Sequence, residues 1–313
     1  MNWRTEVYVA RSENKIDHRS RVMFMGSCFA EHFYGIMQRL QFQVNDAAHG
    51  IIFHPTPIHK ALHRIADLEN YTSSDWLVSG NLFVSPYHHG RYNNANRDLA
   101  IARVNTELET AHDFLKRADF LFITYGTARG YRHHERNEIF ANCHKLPQSN
   151  FSKALSAADE LLDEARTCFK NILKVNPKLK IVCTVSPVRH WKDGAVANQR
   201  SKSILHSLCG ALEDEFEAVS YFPAYEIMMD DLRDYRFYKD DLIHPSDAAI
   251  RYISEKFFEA YLSENAKGCN AELGPVLARL EHKGLHETPE DTEKRKAESH
   301  DAIRLIIQKY YSA

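Results

Sequence analysis

Two apolar runs constrain the fold of this 313-residue chain more than any other feature. They are Asp119-Phe120-Leu121-Phe122-Ile123-Thr124-Tyr125 and Leu179-Lys180-Ile181-Val182-Cys183-Thr184-Val185-Ser186-Pro187. A strand with one solvated face alternates apolar and polar residues, whereas a nearly continuous apolar run of this length fits a central parallel strand covered on both faces. Segments of helical spacing separate the strands. They are Ala30 to Leu40 (with Phe33, Ile36 and Met37), Leu99 to Leu115, about Ala154 to Leu173, Asn198 to Ala211, and Ser246 to Leu262. Val22 to Met25, Gln41 to Val44 and Val219 to Pro223 read as further strands. This alternation predicts an α/β fold with a doubly wound, mostly parallel sheet and helices on both faces, its sites lying beyond the carboxyl ends of the strands.

The remaining segments read as additions. Asn45 to Pro57 is a loop whose end is marked by prolines, with a helix from Ile58 to Ile65. An aromatic, strand-like stretch at about residues 70–97, holding Trp76, Phe83, Tyr87 and Tyr92, reads as an inserted hairpin or lid. Arg132 to Gln148 is a polar excursion. The domain reading is 1–265 for the α/β unit and 266–313 for a charged helical extension, charge-rich from Glu287 to Glu298 and apolar from Ile303 to Tyr311. That extension either docks back or mediates homo-oligomer assembly.

A formal net charge of −2 and no contiguous basic run supply no attraction for a phosphate backbone, so nucleic acid is not expected as a partner. No window approaches the roughly 20 apolar residues of a membrane span, and Met-Asn-Trp-Arg-Thr-Glu at the start lacks a signal pattern. A cytoplasmic protein is expected. The six cysteines are scattered without a C-x-x-C pair, which argues for reduced thiols rather than zinc modules or a disulfide framework.

Met25-Gly26-Ser27-Cys28-Phe29-Ala30 places a serine between a short strand and an amphipathic helix. At such a turn a glycine permits the tight backbone, the serine side chain is expected to be exposed, and the N–H groups opening the helix face any oxyanion formed there. Cys28 competes as nucleophile, but Ser27 stands at the turn itself. Asp241-Leu242-Ile243-His244-Pro245-Ser246 sets an acid and an imidazole three positions apart. His244 then serves as general base toward Ser27, with Asp241 holding its tautomer. The candidate oxyanion donors are the N–H groups of Ser27 and Gly50 and the amide of Asn142, with Gly126 at a strand exit beside them. His88-His89 and His133-His134 read as solvated loop histidines, since no carboxylate pattern completes a metal site. Arg189-His190-Trp191, at the strand exit after Ser186-Pro187, reads equally as pocket lining or as a surface salt bridge with a packed tryptophan. Asn142-Cys143-His144-Lys145 reads equally as a structural pin for its loop.

Gly26-Ser27-Cys28-Phe29-Ala30 resembles the GSCFA family, related to the SGNH/GDSL hydrolases. Thr124-Tyr125-Gly126-Thr127, Asn142-Cys143-His144-Lys145, Ser186-Pro187-Val188 and Asp241 to Ser246 look like further blocks of it. The resemblance spans roughly residues 20 to 262. It implies a flavodoxin-like three-layer α/β/α sandwich of the SGNH hydrolase type, with Ser27 as nucleophile and Asp241 and His244 as its acid and base. Two departures stand out. Gly26, not aspartate, precedes the serine, and the Gly-x-Asn-Asp block of the wider superfamily appears as Gly126-Thr127-Ala128-Arg129, without its amide. The expectation is a cofactor-free serine esterase acting on a small-molecule or glycan acyl ester. An acyltransferase on the same triad, or a non-catalytic carbohydrate-binding or scaffold protein, are its alternatives.

Overall fold

The computed structural model describes residues 5–282 and 288–311. β1 (Arg21–Gly26) runs through α1 (Cys28–Arg39) to β2 (Gln43–Asn45), and α2 (Pro55–Asp67) follows a loop. A hairpin of β3 (Leu77–Ser79) and β4 (Leu82–Val84) precedes α3 (Arg97–Leu115) and β5 (Phe120–Tyr125). Next come β6 (Arg129–His133), β7 (Glu138–Ile139) and β8 (Phe151–Leu155), then α4 (Ala158–Val175), β9 (Lys180–Val185), α5 (Ala195–Glu215) and β10 (Val219–Tyr221). A helical turn α6 (Ala224–Glu226) leads to α7 (Asp247–Tyr261), α8 (Glu264–Glu281) and α9 (Pro289–Tyr311).

The main sheet has the order β2-β1-β5-β9-β10, and every neighbouring pair is parallel. Alternate residues of its strands feed two cores. Met23, Met25, Leu121, Ile123, Ile181 and Val185 pack against residues of α2 to α5, while Val22, Phe24, Phe120, Phe122 and Val182 meet α1 and α7 on the opposite face. Burial of each such side chain contributes about 1.5–3 kcal/mol, which explains why the two continuous apolar runs become the central strands. The result is the expected three-layer α/β/α sandwich. Counted along the sheet, its strand order is the flavodoxin-like 2-1-3-4-5, with the switch point between β1 and β5.

Several local expectations change. Pro55 and Pro57 lie in the first turn of α2 rather than ending a loop, because a proline there gives up an N–H that the helix leaves unpaired in any case. The polar excursion is an antiparallel sheet of order β7-β6-β8, and α4 begins only after β8. His88 and His133 are buried, not solvated: His88 stacks on His49 at 4.6 Å, and His133 stacks on Phe140 at 4.8 Å. Each imidazole covers its faces with aromatic neighbours, which alternation along a strand does not foretell. At the carboxyl end α8 and α9 pack on each other around Cys269, Leu273, Leu277 and Ile303, and dock back through Leu40 and the His18–Tyr311 hydrogen bond. Met1 and Glu287, at the starts of two segments read above, lie outside the described residues. No helix among the described residues is long and apolar enough to cross a membrane.

Candidate active site

The turn from β1 into α1 sits at the switch point of the sheet. Gly26 has φ +130°, and a Cβ on it would lie 2.2 Å from the Thr124 carbonyl oxygen of β5, so both backbone angle and packing demand glycine. Ser27 caps α1: its Oγ accepts the Phe29 N–H at 3.3 Å, where the positive end of the helix favours negative charge on that oxygen. The side chain is 1% exposed, so the serine expected at the surface of the turn is instead enclosed. Its own N–H donates to the Thr124 carbonyl at 3.1 Å, joining the turn to β5, and is therefore not a free oxyanion donor in this conformation. The Cys28 thiol is pushed up by burial, with the Glu31 carboxylate adding to the effect, which removes the thiolate character a cysteine nucleophile needs.

Gly126 follows β5, and its N–H is likewise engaged, donating to the Phe53 carbonyl at 2.8 Å while Thr127 N–H donates to the same oxygen at 3.1 Å. Its role is close approach: a Cβ on Gly126 would come within 3.1 Å of Phe53. Gly50 differs. It has φ +71° and lies against His89 and Arg91, and its N–H has no partner among the described residues. Asn142 reaches the same neighbourhood through Gly90, whose added Cβ would be 3.8 Å from the Asn142 Nδ2. The Asn142 Oδ1 accepts the His144 N–H at 2.8 Å, which orients the amide and leaves its NH2 group available. The structural reading is supported: besides the Asn142 bond, His144 ties this loop to the Ser85 carbonyl at 2.6 Å.

Asp241 and His244 form a closed unit in the turn before α7. His244 Nδ1 is 2.6 Å from Asp241 Oδ2, and Asp241 Oδ1 accepts the N–H groups of Ile243 and His244 at 2.9 and 3.0 Å. These bonds, first that from the His244 backbone, hold the Asp241 carboxyl down at about 2. Leu242 between them has φ +56°, a left-handed backbone that is strained for a residue with a side chain and that turns the chain tightly between Asp241 and His244. Arg189 clasps this turn from the β9 exit: its N–H donates to Ile243 O at 3.2 Å, and its guanidinium donates to Leu242 O at 3.0 Å while stacking on Trp191.

Among the described residues no hydrogen bond joins His244 to Ser27, whose Oγ bonds Phe29 N–H while the imidazole bonds Asp241; His244 does act electrostatically on two further histidines. Burial chiefly lowers His32, on α1, and the charges of Lys239 and His244 also act on it. His190 is pushed down to about 3 by burial, with Lys202 and His244 next in effect. The His190 ring meets Phe53 edge-to-face at 5.4 Å, the His190 backbone N–H donates to Asn198 Oδ1 at 2.9 Å, and the ring Nε2 is sealed without a partner among the described residues. Sequence reasoning left His190 undecided and missed Lys202 altogether, because a lysine in an amphipathic helix reads as solvated. Among the described residues no group of three His, Cys, Asp or Glu side chains is arranged to hold a metal ion.

Comparison with solved structures finds distant similarity. A Streptococcus pneumonia protein proposed to be a platelet activating factor is 11% identical, with a TM-score of 0.40, over 78% of this chain and 84% of that one. A carbohydrate esterase of family 3 from Talaromyces cellulolyticus is 11% identical, with a TM-score of 0.32, over 76% of this chain and 94% of that one. A Bacteroides fragilis protein proposed to be an acylhydrolase is 10% identical, with a TM-score of 0.38, over 79% and 88%. No curated protein matches the sequence. The model of the GSCFA family matches residues 21–257, from the first residue of β1 into α7, and the chain belongs to that family.

Proposed function

We propose that this protein is a serine esterase that hydrolyses an acyl or acetyl ester through a covalent acyl-serine at Ser27, with esters of carbohydrates and glycolipids the first substrates to try. The observation that supports this most is the Asp241–His244 pair, whose 2.6 Å bond fixes Nδ1 as the protonated nitrogen and leaves Nε2 as the base. In the reaction Nε2 takes the proton from Ser27 Oγ as the oxygen attacks the ester carbonyl. The Gly50 N–H and the Asn142 amide donate to the resulting oxyanion. The imidazolium then protonates the leaving alcohol, and water repeats the cycle to release the acid. No cofactor enters this scheme.

Labelling with a fluorophosphonate, read by intact mass, tests the proposal without a known substrate. One adduct is expected in wild type and in Cys28→Ala, and none in Ser27→Ala. A folded wild type that takes up no adduct would overturn the assembled triad and leave the binding-protein reading.

A further inference from the structure

We infer that Lys202 is a positioning residue for this site, tying the exits of β5 and β9 together and supplying the positive charge that faces an anion formed at the Ser27 turn. The inference deepens the esterase reading and rests on it for its catalytic half.

Lys202 lies on the inner face of α5 and is 1% exposed. Its Nζ donates to the Gly126 carbonyl at 2.7 Å and to the Ser186 carbonyl at 2.6 Å, the residues immediately beyond β5 and β9. The preceding residue continues the tie: Ser201 Oγ accepts the Ala128 N–H at 2.7 Å and bonds Thr127 Oγ1 at 2.9 Å. Two consecutive side chains of one helix thus hold the strand exit where the wider superfamily has its Gly-x-Asn-Asp amide. The titratable groups facing Lys202 are Cys28 on α1, His190 in the β9 exit and Tyr225, whose ring lies 5.7 Å from Nζ. None is a carboxylate, and among the described residues burial and Cys28 are the influences acting on the Lys202 charge.

A buried cation without a counter-ion is costly, and proteins otherwise pair it. Here two carbonyl dipoles solvate it, and an ammonium keeps one N–H beyond those it gives to them. Burial brings Lys202 down to about 7, while Cys28 acts in the opposite direction. Ser27 N–H bonds the Thr124 carbonyl, two residues before the Gly126 carbonyl that Lys202 holds, so a tetrahedral oxyanion at that turn would favour the charged form of Lys202. Lys202 touches no reacting atom and acts through the two carbonyls and its field.

Cys28 is a built-in reporter of that field, adjacent to Ser27 and independent of whether Ser27 is activated. The test is peptide-resolved alkylation of Cys28 by iodoacetamide across pH 6 to 9 in wild type, Lys202→Met and Lys202→Gln, with folding checked by thermal denaturation. The glutamine retains a donor and loses the charge. Alkylation several-fold slower in both variants is expected at pH 6 to 7, where Lys202 carries its charge, with the difference shrinking toward pH 9 as the amine becomes neutral, together with fluorophosphonate labelling of Ser27 slowed about tenfold or more at pH 6 to 7. Unchanged Cys28 alkylation in folded Lys202→Gln would overturn the electrostatic claim, and slowed alkylation with wild-type labelling would overturn the catalytic one. Wild type that is alkylated at Cys28 but never labelled at Ser27 would reject the esterase reading and, with it, the catalytic half. Should neither variant fold, 15Nζ NMR of wild type at pH 6 decides: an ammonium supports the inference and a neutral amine overturns it.

Discussion

The carboxylate of Asp241 bonds the His244 imidazole with one oxygen and the His244 backbone N–H with the other, at 2.6 and 3.0 Å. The same residue is thus gripped at ring and main chain, so turning the ring costs its bond to a carboxylate that the backbone of the turn holds in place. Asp241→Asn should keep the turn, since an amide oxygen still accepts the N–H groups, while presenting its NH2 to Nδ1 and inverting the tautomer. Turnover of p-nitrophenyl acetate is expected to fall by about 10⁴ with the thermal midpoint nearly unchanged. Retention of activity within tenfold would remove Asp241 from the triad. Because Asp241 is held at about 2 against an ordinary 3.8, its stabilising contribution is present above pH 4 and is lost as pH falls through about 2.

A second pH dependence comes from His49, enclosed between the insertion and the loop that carries Gly50. Its Nδ1 meets Ala47 O at 2.7 Å, its Nε2 meets Tyr71 OH at 2.7 Å, and burial pushes it down to about 4. The unfolded chain binds a proton at pH values where the native ring stays neutral. Stability is therefore complete above 6.5 and declines as pH falls toward 4, by about 3 kcal/mol from this residue. His54, also at about 4, adds a similar term. Urea denaturation between pH 7.5 and 4.5 should show this limb, and His49→Phe should flatten it by about one proton while lowering stability at pH 7.5. An equally steep limb in the variant would show that His49 is not its source.

How much of this was legible beforehand depended on whether a signal was local. The central strands were, because Phe122 and Val182 belong to runs that only a doubly covered strand explains. The Ser27 turn and the Asp241–His244 pair were, because a cap and a three-residue spacing act within one turn. The enclosure of Ser27, the engaged N–H groups of Ser27 and Gly126, and the burial of His88 depend on segments far away in sequence. Lys202 is the clearest case: its partners, Gly126 and Ser186, are brought to it by the sheet, and nothing in α5 itself announces them.

The oxyanion donors give the last prediction. With the Ser27 and Gly126 N–H groups engaged, the Gly50 N–H and the Asn142 NH2 group are the two candidate donors without a partner among the described residues. Asn142 can be tested without disturbing its loop, because its oxygen does the structural work of accepting the His144 N–H at 2.8 Å and its nitrogen is the proposed donor. Asn142→Asp keeps the acceptor and removes the donor, so the loop should hold while kcat for p-nitrophenyl acetate falls by about 10²–10³ with KM within a few-fold. Asn142→Ala removes both and should add a loss of thermal stability to a similar loss of kcat. If Asn142→Asp instead retains wild-type kcat while Asn142→Ala loses stability alone, the amide is only the pin of its loop, and stabilisation of the oxyanion falls to Gly50 and the field of Lys202.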